Sequence, residues 1–282
     1  MSFVTTKQML YKADREGYAV GAFNVENMEM VMAVIRACEE TNSPAILQTT
    51  PSTVKYAGLD MYYANVATAA KKADVPIALH LDHGNSFELA MQALHTGYTS
   101  IMIDGSKLAL DENIALSKSV ADVCRACGIP VEAELGKVGG KEDDMSCDDP
   151  GYTDPDDAVR FVNETGVTSL AVAIGTAHGI YKGEPKLDVE RLSEIRKVIS
   201  IPLVLHGASG VPDEAVKDCI RRGISKVNFA TELRIAFSNG IKEYLAKDPE
   251  VFDPKKYCAL GSEKVTALVK EKIAVCGSAG KA

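Results

Sequence analysis

Eight short apolar runs punctuate the chain, at residues 19–23, 45–48, 77–81, 100–103, 131–134, 169–173, 203–205 and 226–229. Each is too short for a helix and too continuously apolar for a surface loop, so each predicts a buried strand. Between them lie longer segments in which apolar residues return every three or four positions: 28–41, 59–72, 87–96, 110–127, 156–165, 189–198, 213–222 and 232–247. That period predicts helices with one face on a core. The punctuation agrees. Pro44, Pro76, Pro130 and Pro202 stand at or just before a strand, where a preceding helical segment must end. Gly97, Gly166 and Gly223 sit where helix C-terminal caps belong. Strands alternating with helices imply parallel pairing. Eight such units imply closure into a (β/α)₈ barrel, with a doubly wound open sheet as the alternative.

Three segments fall outside the repeat. Residues 6–16 read as a helix that covers the barrel bottom. Residues 262–276 read as a C-terminal helix after a linker at 248–261. Residues 136–153 carry Gly139-Gly140, Glu142, Asp143, Asp144 and Gly151 with no apolar period. A long loop directly after the fifth strand, on the face where such barrels carry their sites, is expected to be a mobile lid.

Composition changes little. The 282 residues exceed by a little the roughly 250 of one barrel, so a single domain over 1–282 is expected. With 46% hydrophobic and 25% charged residues the chain is ordinary globular protein. The net charge of −8 argues against nucleic acid or an anionic membrane as partner. A small anionic substrate stays open, because helix N-termini bind phosphate whatever the global charge. Seven cysteines, with Cys124-Arg-Ala-Cys127 lacking a second pair, read as free thiols in a reducing cytoplasm. No signal-peptide pattern and no run of about 18 apolar residues is present, so a soluble cytoplasmic protein is expected.

The candidate chemistry lies at strand ends. Of five histidines, His83 follows the third predicted strand, His178 the sixth, and His206 ends the seventh, each followed by glycine. Barrel strand ends converge on one mouth, so three imidazoles distant in sequence would face one another, a catalytic zinc arrangement with an open fourth position. Asp82 adjoins His83, and Asp104 follows the fourth strand. Glu132 and Glu134 alternate along the fifth and share a face. Inward, they would need a metal or hydrogen bonds; otherwise they pair with Lys107 or Lys137. The strings His206-Gly207-Ala208-Ser209-Gly210 and Asn228-Phe229-Ala230-Thr231 follow the last two strands, the usual phosphate grip of this architecture. A lysine Schiff base would be the metal-free way to activate a substrate carbonyl. No lysine closes a predicted strand, and Lys226 begins the eighth, at the wrong end.

These stretches, together with Leu79-His80-Leu81-Asp82-His83-Gly84, Val131-Glu132-Ala133-Glu134-Leu135-Gly136 and Ala173-Ile174-Gly175-Thr176-Ala177-His178-Gly179, resemble the class II, metal-dependent ketose-bisphosphate aldolases, in unbroken order from about Val4 to the C-terminus. The resemblance implies that His83, His178 and His206 bind one catalytic Zn²⁺, which would chelate dihydroxyacetone phosphate and stabilise its enediolate. It implies Asp82 as the acid and base at the aldehyde oxygen, and Glu142, on the lid, as the proton shuttle at the enediolate carbon. Glu134 and Asp104 would support the metal or ligate it alternately. Asn24, Thr50, Gly179, Gly207 to Ser209 (through Ala208) and Asn228 to Thr231 (through Phe229 and Ala230) would hold the substrate. Lys182 would support a phosphate or a monovalent cation.

Reversible cleavage of a ketose 1,6-bisphosphate to dihydroxyacetone phosphate and glyceraldehyde 3-phosphate is therefore the expected activity. The Ala-Ile-Gly-Thr-Ala-His-Gly and Ala-Thr-Glu-Leu strings resemble the tagatose-bisphosphate branch, while Asp82-His83-Gly84-Asn85-Ser86 stands closer to the fructose branch; tagatose is favoured. A non-catalytic stabilising subunit would not need all these groups, and a metal hydrolase usually carries His-x-His after its first strand, where this chain has Phe23-Asn24. A homodimer or homotetramer is expected.

Overall fold

Aliphatic residues make the strands of this protein, and the two-residue alternation of a strand decides what each contributes. The computed structural model describes residues 2–142, 145–147, 151–181, 183 and 185–282, with backbone alone for 141–142 and 145–147. The strands are β1 (Val20–Asn24), β2 (Ala45–Thr49), β3 (Ile77–Gly84), β4 (Ser100–Ile103), β5 (Val131–Leu135), β6 (Gly139–Glu142), β7 (Met145–Cys147), β8 (Ser169–Val172), β9 (Ala177–His178), β10 (Leu203–Leu205) and β11 (Ile224–Phe229). Eight of them close a parallel barrel in the order β1-β11-β10-β8-β5-β4-β3-β2. Each strand of this barrel coincides with a predicted one to within a few residues, and the open-sheet alternative falls.

The helices are α1 (Thr6–Glu16), α2 (Met28–Thr41), α3 (Pro51–Ala57), α4 (Leu59–Ala70), α5 (Phe87–Thr96), α6 (Leu110–Ala126), α7 (Pro155–Thr165), α8 (Val189–Val198), α9 (Asp213–Arg221), α10 (Thr231–Lys247) and α11 (Pro254–Cys276). Among the described residues none is long and apolar enough to cross a membrane. Side-chain caps set several of the starts: Asn27 accepts from the Met30 N–H, Ser86 from Leu89 and Asp154 from Asp156 and Asp157. The outward residues Phe23, Leu47, Leu79 and Leu81 join the helices in the main core. The inward Val20, Ala22, Ile46 and Ala78 meet Met9, Leu10 and Ala13 of α1 and Tyr18 in a separate apolar plug that closes the bottom.

Above that plug the interior turns polar. His80, Ser100, Glu132 and Lys226, then Asn24, Gln48, Asp82, Glu134, His206 and Asn228, are all buried. Barrels of this kind are ordinarily filled with branched aliphatics. Polar filling costs free energy unless every group is bonded, so its presence points to chemistry at the mouth.

Three differences from the sequence reading have local causes. Helix α3 goes unpredicted because it is too short to show a period; Thr50 caps it by accepting from Thr53 N–H, and Pro51 opens it. Helix α11 starts at Pro254 rather than 262, because Asp253 accepts from Lys255 N–H and Pro254 pre-sets the first turn. The segment read as a long lid loop contains the hairpin β6–β7, which adds β9 to form a three-stranded sheet. Backbone pairing makes that sheet, and it leaves no apolar period to read.

Candidate metal centre and its surroundings

Adjacent residues on a strand point to opposite faces, so Asp82 and His83 should not both reach the mouth. The structure solves this with an irregularity in β3. The register against β4 shifts between Leu81 and Gly84, and His83 takes the left-handed φ of 49°. Such a conformation costs about 1–3 kcal/mol for a residue with a side chain. It turns His83 inward beside Asp82, where His83 Nδ1 lies 2.7 Å from Asp104 Oδ2. His206 follows β10 directly. His178 ends β9 and is fixed by pairing with β6, Gly140 facing His178. Gly140 has φ +86°, and a side chain there would overlap the His178 carbonyl, so only glycine brings the sheet this close.

The three rings converge. Their centroids are 5.0 Å apart for His83 and His178, 4.7 Å for His83 and His206, and 6.0 Å for His178 and His206. One nitrogen of each lies within 4.8 Å of the others. The hydrogen bonds behind the rings decide which nitrogens face inward. Burial pushes the Asp104 carboxyl up, but the bonds from His83 and Ser106 outweigh it and hold the group well below the usual range. Glu132 is likewise pushed up by burial and pulled well below its ordinary value by Lys226 and then by His206. Both carboxylates therefore accept. His83 donates from Nδ1 to Asp104, and His206 donates from Nε2 to Glu132 Oε1 at 2.9 Å. The other two nitrogens, His83 Nε2 and His206 Nδ1, point inward and lie 2.9 Å apart. Three converging imidazoles, those of His83 and His206 backed by carboxylates, are the donor set of a catalytic zinc site.

Glu134 stands beside this set. Its Oε2 is 3.5 Å from His206 Nδ1 and has no hydrogen-bond partner among the described residues. Burial, and after it the Asp104 charge, raise its carboxyl above the usual value. His83, Asp104 and Glu134 form a second group that could hold an ion. The residues present thus fit a divalent metal, with Glu134 able to add an oxygen.

Asp82 sits in a cradle of amides. Its Oδ2 accepts from Asn24 Nδ2 at 3.0 Å and Gln48 Nε2 at 3.1 Å, and its Oδ1 from Asn228 Nδ2 at 3.2 Å. Gln48 also donates to Asn24 Oδ1. Four strands contribute one side chain each, and the neighbouring registers (Asn24 beside Gln48, Ala22 beside Asn228) bring them level.

The loops after β10 and β11 meet as expected. Ser209 Oγ accepts from Ala230 N–H at 3.3 Å, and Tyr181 Oη donates to the Gly207 carbonyl at 2.8 Å. Helix α10 starts at Thr231 with no side-chain cap, so the N–H groups of its first two residues are placed to meet an anion. Gly179 follows His178 at the same mouth. Phe229 differs from the rest: its ring stacks on Phe23 in the core, centroids 5.7 Å apart, so only its backbone can meet a ligand. Thr50 caps α3 beside Thr53. The side chain of Glu142, and Lys182 with Asp143 and Asp144, lie outside the described residues.

Two expectations are corrected. Glu132 pairs with neither Lys107 nor Lys137 but with Lys226, whose Nζ lies 3.0 and 2.9 Å from its two oxygens. Lys226 is not at a strand start, because β11 begins at Ile224; Lys226 lies mid-strand and is completely buried. The inward, hydrogen-bonding roles of Gln48, His80 and Lys226 escape the sequence reading. The available signal is the alternation itself, which puts Gln48 on the face of Ile46, His80 on that of Asp82 and Lys226 on that of Asn228.

A closed parallel barrel whose mouth gathers three imidazoles, an amide-cradled carboxylate and an uncapped helix N-terminus has the parts of a metal-assisted enzyme for a small anionic substrate. The model of the class II fructose-bisphosphate aldolases matches residues 4–281, and the chain belongs to that family. It is similar to the YdjI aldolase of Escherichia coli K12, at 38% identity over 99% of both chains and a TM-score of 0.89. It shares its fold with the fructose-bisphosphate aldolase of Campylobacter jejuni, at 24% identity over 100% of this chain and 97% of that one, with a TM-score of 0.84. The protein is therefore an aldolase, a carbon–carbon lyase, acting on phosphorylated sugars.

Proposed function

We propose that this aldolase cleaves a ketose 1,6-bisphosphate, tagatose 1,6-bisphosphate in preference to the fructose epimer, to dihydroxyacetone phosphate and glyceraldehyde 3-phosphate. The observation that carries the reading is the convergence of three imidazoles, with His83 Nε2 and His206 Nδ1 2.9 Å apart, beside the amide-held carboxylate of Asp82. His83, His178 and His206 would hold a zinc ion, with Glu134 in reserve. That ion would supply Lewis-acid polarisation of the ketose carbonyl.

The remaining work falls to the chain. In cleavage Asp82 takes the proton of the C4 hydroxyl, whose oxygen becomes the aldehyde carbonyl as the C3–C4 bond breaks and its electron pair passes to C3. Asn24, Gln48 and Asn228 keep the carboxylate aimed and offset its burial. Glu142 returns a proton to C3; in condensation both transfers reverse. The N-terminus of α10, with Gly207, Ala208, Ser209 and the Asn228–Thr231 backbone, grips the C1 phosphate, joined by Gly179 and Lys182. Thr50 bounds the far end.

The choice of tagatose rests on the Ala173–Gly179 and Ala230–Leu233 strings, since the two substrates differ at a single hydroxyl. Measuring kcat/KM for both bisphosphates on one preparation decides it; a higher value for fructose bisphosphate reverses the preference. Chelation is expected to abolish cleavage and added Zn²⁺ or Co²⁺ to restore it, and full activity in excess chelator would refute the metal assignment.

A further inference from the structure

Glu132 and Lys226 are buried below the mouth, 2% and 0% exposed, and the proton transfers above do not use them. They come from β5 and β11, which stand three places apart around the ring, so the pair spans the interior. A buried ion pair of this kind is seldom justified by stability, since apolar residues of similar volume commonly do as well. Its geometry offers another reason. Lys226 Nζ touches both carboxylate oxygens, at 3.0 and 2.9 Å, and so fixes the carboxylate plane. One of those oxygens, Oε1, accepts from His206 Nε2 at 2.9 Å. Its other oxygen is 3.9 Å from His80 Nε2, the competing partner toward which an unrestrained carboxylate could turn. His80 is itself fixed from behind by Ser100 Oγ at 2.8 Å from Nδ1, and Ser100 Oγ accepts from Thr6 Oγ1 of α1.

We propose that Glu132, clamped by Lys226, is the positioning residue that holds His206 in the Nε2–H form with Nδ1 turned to the metal. An imidazole with a proton on Nδ1 cannot ligate through that atom, and the hydrogen bond at the far nitrogen sets which form exists. The carboxylate supplies that bond, and the ammonium supplies both its aim and its counter-charge. The proposal rests on the reading of His206 as a metal ligand.

The test compares two charge-free double variants of the full chain, Glu132→Gln with Lys226→Met and Glu132→Leu with Lys226→Met. Both remove the ion pair and fill similar volume. Only the first keeps an oxygen that can accept from His206 Nε2. Zn²⁺ affinity is measured by competition with a chromophoric chelator, and the tautomer by ¹⁵N spectra of histidine-labelled, metal-free protein. The glutamine pair is expected to bind Zn²⁺ some 10–100-fold more tightly than the leucine pair, the usual effect of such partners, and alone to keep the Nε2–H signal of His206. Equal affinities would overturn the proposal. Where the variants fail to fold, the unsubstituted protein still decides: an Nδ1–H signal for His206 overturns it, an Nε2–H signal supports it. Failure of the unsubstituted protein to bind Zn²⁺ at all would instead overturn the metal reading, a separate result.

Discussion

Replacing Asp82 by asparagine removes a charge with almost no change of shape, and the surrounding amides make the outcome calculable. The new side chain can keep its carbonyl toward Asn24 Nδ2 and Gln48 Nε2, which lie 3.0 and 3.1 Å from Oδ2 of the native carboxylate. Its NH₂ then faces Asn228 Nδ2, donor against donor. Asn228 Oδ1 has no hydrogen-bond partner among the described residues, so a flip of that amide turns an acceptor to the new donor. All three contacts survive as neutral hydrogen bonds. Each is weaker than its charged counterpart by about 1 kcal/mol, and the relief of burying a carboxylate offsets much of the loss. Stability should therefore change by no more than ~2 kcal/mol, a shift in Tm of about 3 °C for a chain of this size. Activity should fall far more. Loss of a general acid–base group costs roughly 10²–10⁴-fold, or about 3–5 kcal/mol of barrier at 1.4 kcal/mol per decade. A coupled assay of the aldehyde product gives kcat, metal analysis gives zinc content, and a thermal melt gives stability. The expected result is a kcat lowered by at least a hundredfold with zinc content and fold retained. A variant within tenfold of the parent kcat would refute the role of Asp82; a lost metal would show that the cradle serves the ligands instead.

In Gly207→Ala the new methyl would sit 2.7 Å from the Ala177 carbonyl at φ +65°. Strain of roughly 1–2 kcal/mol for the left-handed backbone alone, plus displacement of β9, should lower the urea midpoint and weaken Zn²⁺ binding together; unchanged binding would separate the anion loop from the metal. Burial pushes the thiols of Cys219 and Cys276 up to about 12 and that of Cys124 up to about 11, whereas Cys127 is exposed. Iodoacetamide at pH 8 should label Cys127 in the native protein and the other three only in denaturant; labelling of Cys219 at the rate of Cys127 would contradict the packing.

The barrel is legible because its strands and helices obey different periods over long stretches, and because proline and glycine mark the joins. The hairpin β6–β7 and its partner β9 are not, since Gly139-Gly140 pairs through backbone alone and leaves no side-chain pattern. The three histidines can be picked out by position at strand ends, but a regular strand would send His83 outward beside an inward Asp82. Only the bulge and the φ of 49° put them on one side, and neither is written in local residue type. Lys226 is misread for a related reason. Placing the eighth strand two residues late turns a mid-strand, inward lysine into a strand-initial one.

That lysine bears on how the polar interior holds together. A barrel filled with Glu132, Lys226, His80, Ser100, Asp82, Gln48 and Asn24 exchanges aliphatic packing for directed bonds, and such exchanges stabilise little. What they give is orientation. Asp82 is held by Asn24 and Gln48, His83 by Asp104, His206 by Glu132, and Glu132 in turn by Lys226. Reaction at a carbon–carbon bond needs the proton-transfer group and the metal ligands held within a few tenths of an ångström of their working positions. Loops cannot do that alone. By rooting the aiming residues on barrel strands and leaving the loops after β5, β10 and β11 for the substrate, the fold keeps rigid what must be placed and leaves adaptable what must admit and release a sugar phosphate.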